Sequence, residues 1–195
     1  GLLLNVLHND VGCSYAANSW GERFHWYSST GWVMWNAQTA GLLSGTTLCL
    51  YDGSPGGTQP ASAGGPDWTT LWRFAAETGV TFFGAGAAFY ANCMKAGIDL
   101  QACGDLSRVR ALGTTGSPLS EDVQRWGTAQ FRRIRQSDMS AAGPSQGAKA
   151  PSGGSEPHEV GERGGDIWWC NISGGTDFAV AFIGGNRELP QVPGE

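Results

Sequence analysis

Short apolar runs alternate with longer amphipathic segments along most of the 195 residues of this chain. Runs rich in aromatic and β-branched residues predict strands at 23–27, 46–51, 80–83, 109–113 and 167–172, the last of these being the final strand. Segments of helical length predict helices at 32–43, 68–78, 85–95 and 121–135, after the tail of another helix at 2–9. This alternation predicts an α/β fold, in which a mainly parallel sheet is flanked by helices and built by right-handed crossovers.

Residues with special backbone or capping preferences mark several of the predicted helix ends. Gly45, Gly79 and Gly97 follow predicted helices, where glycine commonly ends the last turn. Asp67 and Ser120 precede predicted helices, and their side-chain oxygens can accept hydrogen bonds from the first free backbone N–H groups. These residue types therefore predict helix boundaries independently of the periodicity of the apolar positions.

The segment at 137–165 differs in composition from the rest of the chain. It contains clusters of Gly, Pro, Ser and Ala followed by a charged stretch, and large apolar side chains are almost absent. Such a segment cannot bury enough apolar surface to offset the entropy lost on ordering. We therefore predict a flexible surface insertion at 137–165.

Two loops of small, polar residues follow predicted strands, one at 114–120 and the other at 173–177. Parallel sheets bind ligands at the carboxyl ends of their strands, so we expect both loops to line one crevice. The glycines of the second loop allow close approach of a ligand. Thr176 and Asp177 then offer a hydroxyl and a carboxylate, which suit phosphate oxygens and a hard cation such as Mg²⁺. The alternative is that the Gly-Gly-Thr-Asp sequence merely starts a helix.

Charge and hydropathy argue against two classes of partner. The formal net charge is −5 with 12 Lys and Arg residues and no basic run, which argues against nucleic-acid binding. No apolar stretch approaches the roughly 20 residues that span a bilayer, and the first residues lack a signal-peptide pattern. We therefore expect neither a nucleic acid nor a membrane as partner.

The cysteines and tryptophans bear on the compartment. The five cysteines have no CxxC spacing, which favours reduced thiols and a cytoplasmic location: Cys13, Cys49, Cys93, Cys103 and Cys170. Most of the nine tryptophans stand beside other apolar residues and are predicted to be buried. The alternative is a secreted sugar-binding module with exposed indoles.

Two common enzyme motifs are missing. No serine stands in the Gly-x-Ser-x-Gly pattern of a nucleophile elbow, and no phosphate-binding P-loop sequence occurs. The chain has only two lysines, Lys95 and Lys149, and neither lies in a predicted ligand loop. Phosphoryl or adenylyl chemistry would therefore need Arg, Mg²⁺ or residues from outside this sequence.

Four segments together resemble the adenylate-forming acyl-CoA synthetases, and within them the branch that activates acetoacetate. They are YSSTGWVMWN at 27–36, LYDGSP at 50–55, GTTGSPL at 113–119 and ISGGTD at 172–177. The resemblance covers nearly all of the chain except 137–165. It implies that 1–195 is part of an N-terminal AMP-binding (adenylation) domain. That family joins a carboxylic acid to ATP, releases pyrophosphate, and passes the acyl group to coenzyme A.

The resemblance also implies roles for the residues of the two loops. Gly116, Ser117 and Pro118 would line the adenine. The second loop would follow the nucleotide and hold its phosphate, with Thr176 and Asp177 as the catalytic pair and Asp177 as the Mg²⁺ ligand; its remaining members are Ser173, Gly174 and Gly175.

The acyl pocket is implied in the same way. Trp32, Val33 and Met34 lie where the family places residues that contact the acid, and Thr115 matches another such position. The acetate-specific members carry Trp-Trp-Gln-Thr-Glu where this chain has 173–177. Glycine in place of an indole at Gly174 removes roughly 150–250 Å² of aromatic surface, which makes room for a longer acid such as acetoacetate.

The resemblance leaves some parts of the family pattern outside this sequence. A lysine-containing phosphate loop would precede Gly1, and a ribose-binding Asp, a hinge and a C-terminal domain with a catalytic Lys would follow Glu195. Acetoacetate, ATP and coenzyme A are therefore expected as small-molecule partners of a longer enzyme, together with its missing N- and C-terminal parts. The alternatives are a synthetase for another short-chain acid and a nucleotide- or acyl-binding module without catalysis.

Overall fold

A five-stranded parallel sheet forms the centre of the molecule. The computed structural model describes residues 21–57, 64–141, 166–177, 180–185 and 191–194. The strands are β1 Arg23–Trp26, β2 Thr47–Leu48, β3 Phe82–Gly86, β4 Ala111–Thr115 and β5 Trp168–Asn171. They lie in the order β2-β1-β3-β4-β5, and every neighbouring pair is parallel. The predicted α/β class is therefore confirmed.

Helices cover the two faces of this sheet unequally. They are α1 Val33–Ala40, α2 Thr70–Thr78, α3 Ala87–Lys95 and α4 Glu121–Ala141, with short 3₁₀ helices at Gly41–Ser44 and Leu100–Cys103. Three helices, α2 to α4, pack on one face against Phe83, Leu112 and Trp169. Of the helices in the described residues, only α1 packs on the other, against a cluster that includes Phe24 and Trp26. The two clusters arise because successive side chains of each strand point to opposite faces.

The strands β3 and β4 both begin two residues later than their apolar runs predict, and they end three and two residues later. Val80 and Val109 are buried, but their backbone N–H groups bond the preceding turns, at Ala75 C=O (3.0 Å) and Leu106 C=O (3.0 Å). Each valine therefore closes a turn instead of joining the sheet. The predicted strand at 46–51 is likewise shorter, since regular pairing is limited to Thr47–Leu48.

The structure confirms one predicted end of α2 and moves its other end and the end of α4. Gly79 ends α2 in the left-handed conformation, with φ 63°, as predicted. The helix begins at Thr70 and not at 68, because the Asp67 carboxylate first accepts from the N–H (3.0 Å) and hydroxyl (2.6 Å) of Thr69. The helix α4 continues to Ala141, so the first five residues of the predicted insertion at 137–165 are helical. The rest of that insertion, and the helix predicted at 2–9, lie outside the described residues.

A two-stranded antiparallel hairpin follows the parallel sheet, so the prediction that 167–172 is the last strand is wrong. Its strands are β6 Ser173–Gly175 and β7 Val180–Ile183. The apolar content of 180–183 is a strand signal that the sequence analysis missed.

The described cysteines are buried, and of the eight described tryptophans four are buried and four are half-buried, so burial of most tryptophans is only partly confirmed. Cys49, Cys93, Cys103 and Cys170 are buried free thiols, while Cys13 lies outside the described residues. Trp26, Trp72 and Trp169 are at most 1% exposed. Among the helices in the described ranges, none combines the length and apolar character needed to cross a bilayer.

Candidate functional site

The predicted site residues all lie at or after the carboxyl ends of strands at one edge of the parallel sheet. The register aligns Trp26 with Gly84, Gly84 with Gly113, and Gly113 with Cys170. The segments that follow β1, β4 and β5 therefore leave the sheet on the same side. The structure thus brings together the three groups of residues that the sequence predicted, at the edge where open α/β folds bind ligands.

Of the acyl-site candidates, Trp32 is the N-cap of α1 and Val33 and Met34 are its first two residues, directly after the loop that leaves β1. Met34 is buried, whereas Trp32 and Val33 are half-buried and pack against the same apolar cluster. Ile172, which precedes the hairpin, packs against that cluster too. The first turn of α1 and the start of the second loop therefore share the face of the sheet that carries α1.

The side chain of Gln38 ties α1 to the end of β1. Its Oε1 accepts from the Trp26 N–H (3.3 Å), and its Nε2 donates to the Trp26 C=O (3.2 Å). The strand β2 has already ended at this level, so a buried side-chain amide takes the place of a neighbouring strand. Because Gln38 bonds both backbone groups of one residue, it fixes α1 relative to the sheet.

The indole of Trp26 lies across β3 and β4 on the face that carries α1. A Cβ added to Gly84 would lie 2.2 Å from Trp26 Cε3, and one added to Gly113 would lie 2.3 Å from Trp26 Cζ3. Any larger residue at these two positions would collide with the indole. Glycine within an apolar strand run can signal such an approach, so Gly84 and Gly113 are the sequence feature that points to this contact.

The loop after β4 has the exposed character that a ligand-contacting segment needs. Thr115 is half-buried and ends the strand, while Gly116, Ser117 and Pro118 are exposed. Ser120 Oγ then accepts from the Val123 N–H at 3.4 Å, as expected of an N-cap. The loop therefore passes from the strand end to the first turn of α4 with its candidate adenine contacts facing outward.

The backbone beneath this loop is held by a buried tyrosine. The hydroxyl of Tyr90 donates to the C=O of Gly113 at 2.8 Å and lies 3.3 Å from the C=O of Phe83, so one side chain links β3 and β4. Burial raises the pKa of Tyr90 well above its ordinary value, which keeps the hydroxyl protonated and able to donate.

The segment at 173–177 forms the first strand of a hairpin and the beginning of its turn. The sequence had instead suggested a tight loop directly after the strand. Ser173 and Gly174 in β6 pair with Ile183 and Ala181 in β7, while Thr176 and Asp177 occupy the turn. The Ile172 N–H donates to the Thr114 C=O at 2.9 Å, which joins the base of the hairpin to the end of β4.

Four of the five residues at 173–177 are exposed. Ser173, Gly174, Thr176 and Asp177 are exposed, and Gly175 is half-buried. The predicted helix start at Gly-Gly-Thr-Asp, the alternative to a ligand loop, does not occur.

The charges near this edge do not form a preassembled metal centre. In the ranges that the structure describes, no group of three His, Cys, Asp or Glu side chains could hold an ion. Lys95 lies in the last turn of α3, at the end of that helix away from the carboxyl edge of β3, and Lys149 lies outside the described residues. A cation held at Asp177 would therefore need further oxygens from outside the described residues, such as those of water or a bound phosphate.

Comparison with known proteins gives a consistent set of relatives. No protein-family model matches the chain. It is 33% identical over 175 residues to the acetoacetyl-coenzyme A synthetase of Rhizobium meliloti (strain 1021), a match that covers 90% of this chain and 21% of that protein. It is 26% identical over 170 residues to the acetoacetyl-CoA synthetase of Gallus gallus, covering 87% of this chain and 20% of that protein.

A solved structure agrees with these relatives. The acetoacetyl-CoA synthetase from Streptomyces lividans matches with a TM-score of 0.62 and 40% identity, covering 89% of this chain and 22% of that one. The chain thus spans about one fifth of the length of the proteins it matches. By sequence and by fold, it is homologous over about nine tenths of its length to one segment of the acetoacetyl-CoA synthetases.

Proposed function

We propose that this chain supplies the acyl- and adenylate-binding part of an acetoacetate–CoA ligase that works through an acyl-AMP intermediate. The observation that carries the proposal is the convergence of three motif groups at one sheet edge. They are the first turn of α1, the loop after β4 and the hairpin after β5. A binding site for a two-part intermediate needs such neighbouring subsites for its acyl and nucleotide halves.

The reaction would take place in two steps, adenylation of the acid and transfer of its acyl group to coenzyme A. In the first, a carboxylate oxygen of acetoacetate attacks the α-phosphorus of ATP, and pyrophosphate leaves with the electron pair of the broken P–O bond. In the second, the thiol of coenzyme A attacks the acyl carbon, loses its proton, and releases AMP. Thr176 would donate its hydroxyl to the α-phosphate, and Gly116, Ser117 and Pro118 would contact the adenine.

The residues of the hairpin turn fit a magnesium ion that is shared with the nucleotide. Mg²⁺ prefers oxygen ligands and is often held by one or two carboxylates together with substrate phosphates. Asp177 is exposed and follows Thr176 in the sequence, so it can offer one such carboxylate. When bound, the ion would neutralise phosphate charge during departure of pyrophosphate.

The acyl subsite would lie between the first turn of α1 and the end of β4. Trp32 and Val33 are only half-buried, so part of each side chain remains available to a ligand, while Met34 is fixed in the core cluster. Thr115 ends the neighbouring part of the sheet. Gly174 adds no side chain, which leaves room for the two carbons by which acetoacetate exceeds acetate.

Binding of an acyl-adenylate mimic tests this function directly. The probe is acetoacetyl-sulfamoyl adenosine, in which a sulfamoyl link replaces the reactive phosphate, and calorimetry measures its affinity for the chain. We expect it to bind more tightly than AMP, because it contacts both subsites. Thr115→Trp should weaken the mimic much more than AMP, whereas Ala129→Trp, at an exposed position of α4, should change neither. Absence of mimic binding to the unaltered chain would refute the proposal.

A further inference from the structure

Trp26 carries a buried polar group that the fold leaves without a partner. Its indole Nε1–H meets no acceptor among the described residues, although the residue is only 1% exposed. Two other buried tryptophans differ, since Trp72 Nε1–H donates to Cys93 Sγ (3.3 Å) and Trp169 Nε1–H to Thr128 Oγ1 (3.0 Å). Buried donors nearly always have a partner in native proteins. The Trp26 donor therefore calls for an acceptor from outside the described part of the chain.

The donor is held in a fixed position. Gln38 bonds both backbone groups of Trp26, and the indole packs nearly parallel to the ring of Phe82, with an interplanar angle of 26°. The Cε3 and Cζ3 atoms lie against the positions that side chains at Gly84 and Gly113 would occupy. Nε1 lies on the opposite edge of an indole from these two carbons. The N–H therefore lies on the edge of the indole that faces away from the two glycines. The ring cannot rotate freely, because both glycine positions and Phe82 are packed against it.

The same face of the sheet carries the proposed acyl subsite. Trp26 and Met34 belong to one buried cluster, and Trp32 and Val33 pack against it. Thr115 follows Gly113 by two residues along β4, so the alternation of the strand directs it to the face that Trp26 covers. Trp26, which carries the unpartnered N–H, therefore shares one face of the sheet with the residues proposed to contact the acid.

We propose that Trp26 determines acid specificity by donating its indole N–H to the 3-oxo oxygen of the bound acyl group. This inference rests on the function proposed above and adds a residue that the motifs did not include. Acetoacetate and butyrate have the same number of carbons, but only acetoacetate carries an acceptor at C3. A site built around a donor rejects the analogue without the acceptor, because the donor is then left buried and unpaired.

The test compares two acyl-adenylate mimics that differ only at C3, acetoacetyl- and butyryl-sulfamoyl adenosine. Calorimetry with the 195-residue chain should give at least about tenfold tighter binding of the acetoacetyl mimic, the scale of one buried hydrogen bond. Trp26→Phe keeps an aromatic ring but lacks the donor, and it should abolish this preference. The matched control Trp72→Phe removes an indole N–H on the other face, bonded to Cys93, and should keep the preference.

A spectroscopic readout keeps the inference testable if Trp26→Phe folds poorly. In the unaltered chain labelled with ¹⁵N-tryptophan, the acetoacetyl mimic should move the Trp26 indole N–H resonance downfield, and the butyryl mimic should not. If both mimics bind and leave that resonance in place, or bind equally well, the donor role is wrong while the proposed function stands. If neither mimic binds, both the donor role and the proposed function are wrong.

Discussion

The side-chain amide of Gln191 bonds both backbone groups of Trp169. The Trp169 N–H donates to Gln191 Oε1 at 2.9 Å, and Gln191 Nε2 donates to the Trp169 C=O. Trp169 belongs to β5, the last strand in the order of the parallel sheet among the described residues. At this residue the glutamine amide therefore makes the bonds that a neighbouring strand would make. Gln38 makes the same pair of bonds to Trp26 at the end of β1.

Loss of the edge bonds of Gln191 should lower stability. We expect Gln191→Ala to reduce the free energy of unfolding by about 1–2 kcal/mol, since two backbone groups lose their partner. Urea unfolding followed by tryptophan fluorescence measures this change. Gln101→Ala is the control, because that amide makes only a long exposed bond to Ser137 (3.4 Å) and should cost less than about 0.5 kcal/mol. Equal losses for both variants would contradict the role of Gln191.

The stability of the chain should fall as the pH drops below about 6.5. His25 is buried, its Nδ1–H donates to the Cys49 C=O (2.7 Å), and desolvation lowers its pKa from 6.5 to about 4. Below pH 6.5 the unfolded chain takes up a proton at this position that the folded chain does not, so acid favours unfolding. The contribution of His25 should decrease by about 2 kcal/mol between pH 7 and pH 5.

Unfolding free energies measured at pH 7, 6 and 5 check this expectation. His25→Phe fills a similar volume without a titrating group, and it should flatten the pH dependence in this window. The carboxyls whose pKa values are lowered, Asp67 and Asp105, lose their contributions only below about pH 4. A pH dependence that is unchanged in His25→Phe would assign the effect to other groups.

A bulky side chain at Gly174 should shift acid preference. We expect Gly174→Trp to weaken the acetoacetyl-adenylate mimic relative to the acetyl mimic by about tenfold or more, because an indole would occupy the space of the longer acid. The ratio of the two affinities, measured by calorimetry, decides the outcome. Ala129→Trp on α4 adds the same side chain at another exposed position and should leave the ratio unchanged. An unchanged ratio in Gly174→Trp would place this glycine away from the acyl group.

The 195-residue chain by itself should not form acetoacetyl-AMP at a useful rate. Thr176 and Asp177 provide a hydroxyl and a carboxylate, but no lysine lies in the candidate site, and charge on the departing pyrophosphate needs positioned cations. We expect a rate at least about 10³-fold below that of a complete enzyme. Acetoacetate-dependent exchange of labelled pyrophosphate into ATP measures this, with the Rhizobium meliloti relative as the positive control. Comparable exchange by both proteins would show that this chain already holds the essential groups.

The sequence alone determined the class of the fold and the edge of the sheet at which its motifs meet. Alternating apolar runs and amphipathic segments specify strands and helices through local periodicity, and parallel strands must end on one side. Gly79 and Ser120 marked helix ends through their own backbone and side-chain chemistry. The loops at 114–120 and 173–177 were identified because small polar residues after a buried strand are a local signal.

Only the tertiary structure decided which side chains complete the packing around that edge. Val80 and Val109 are β-branched and apolar, as strand residues often are, yet their N–H groups donate to carbonyl groups of the preceding turns. Whether such a residue pairs in the sheet or closes a turn depends on how the surrounding elements pack. The hairpin at 173–183 requires pairing between two short segments, which periodicity in either does not specify. Trp26 lies over Gly84 and Gly113, two residues that are distant from Trp26 in the sequence. Contacts between distant residues are set by the packing of whole elements, so no local pattern can encode them.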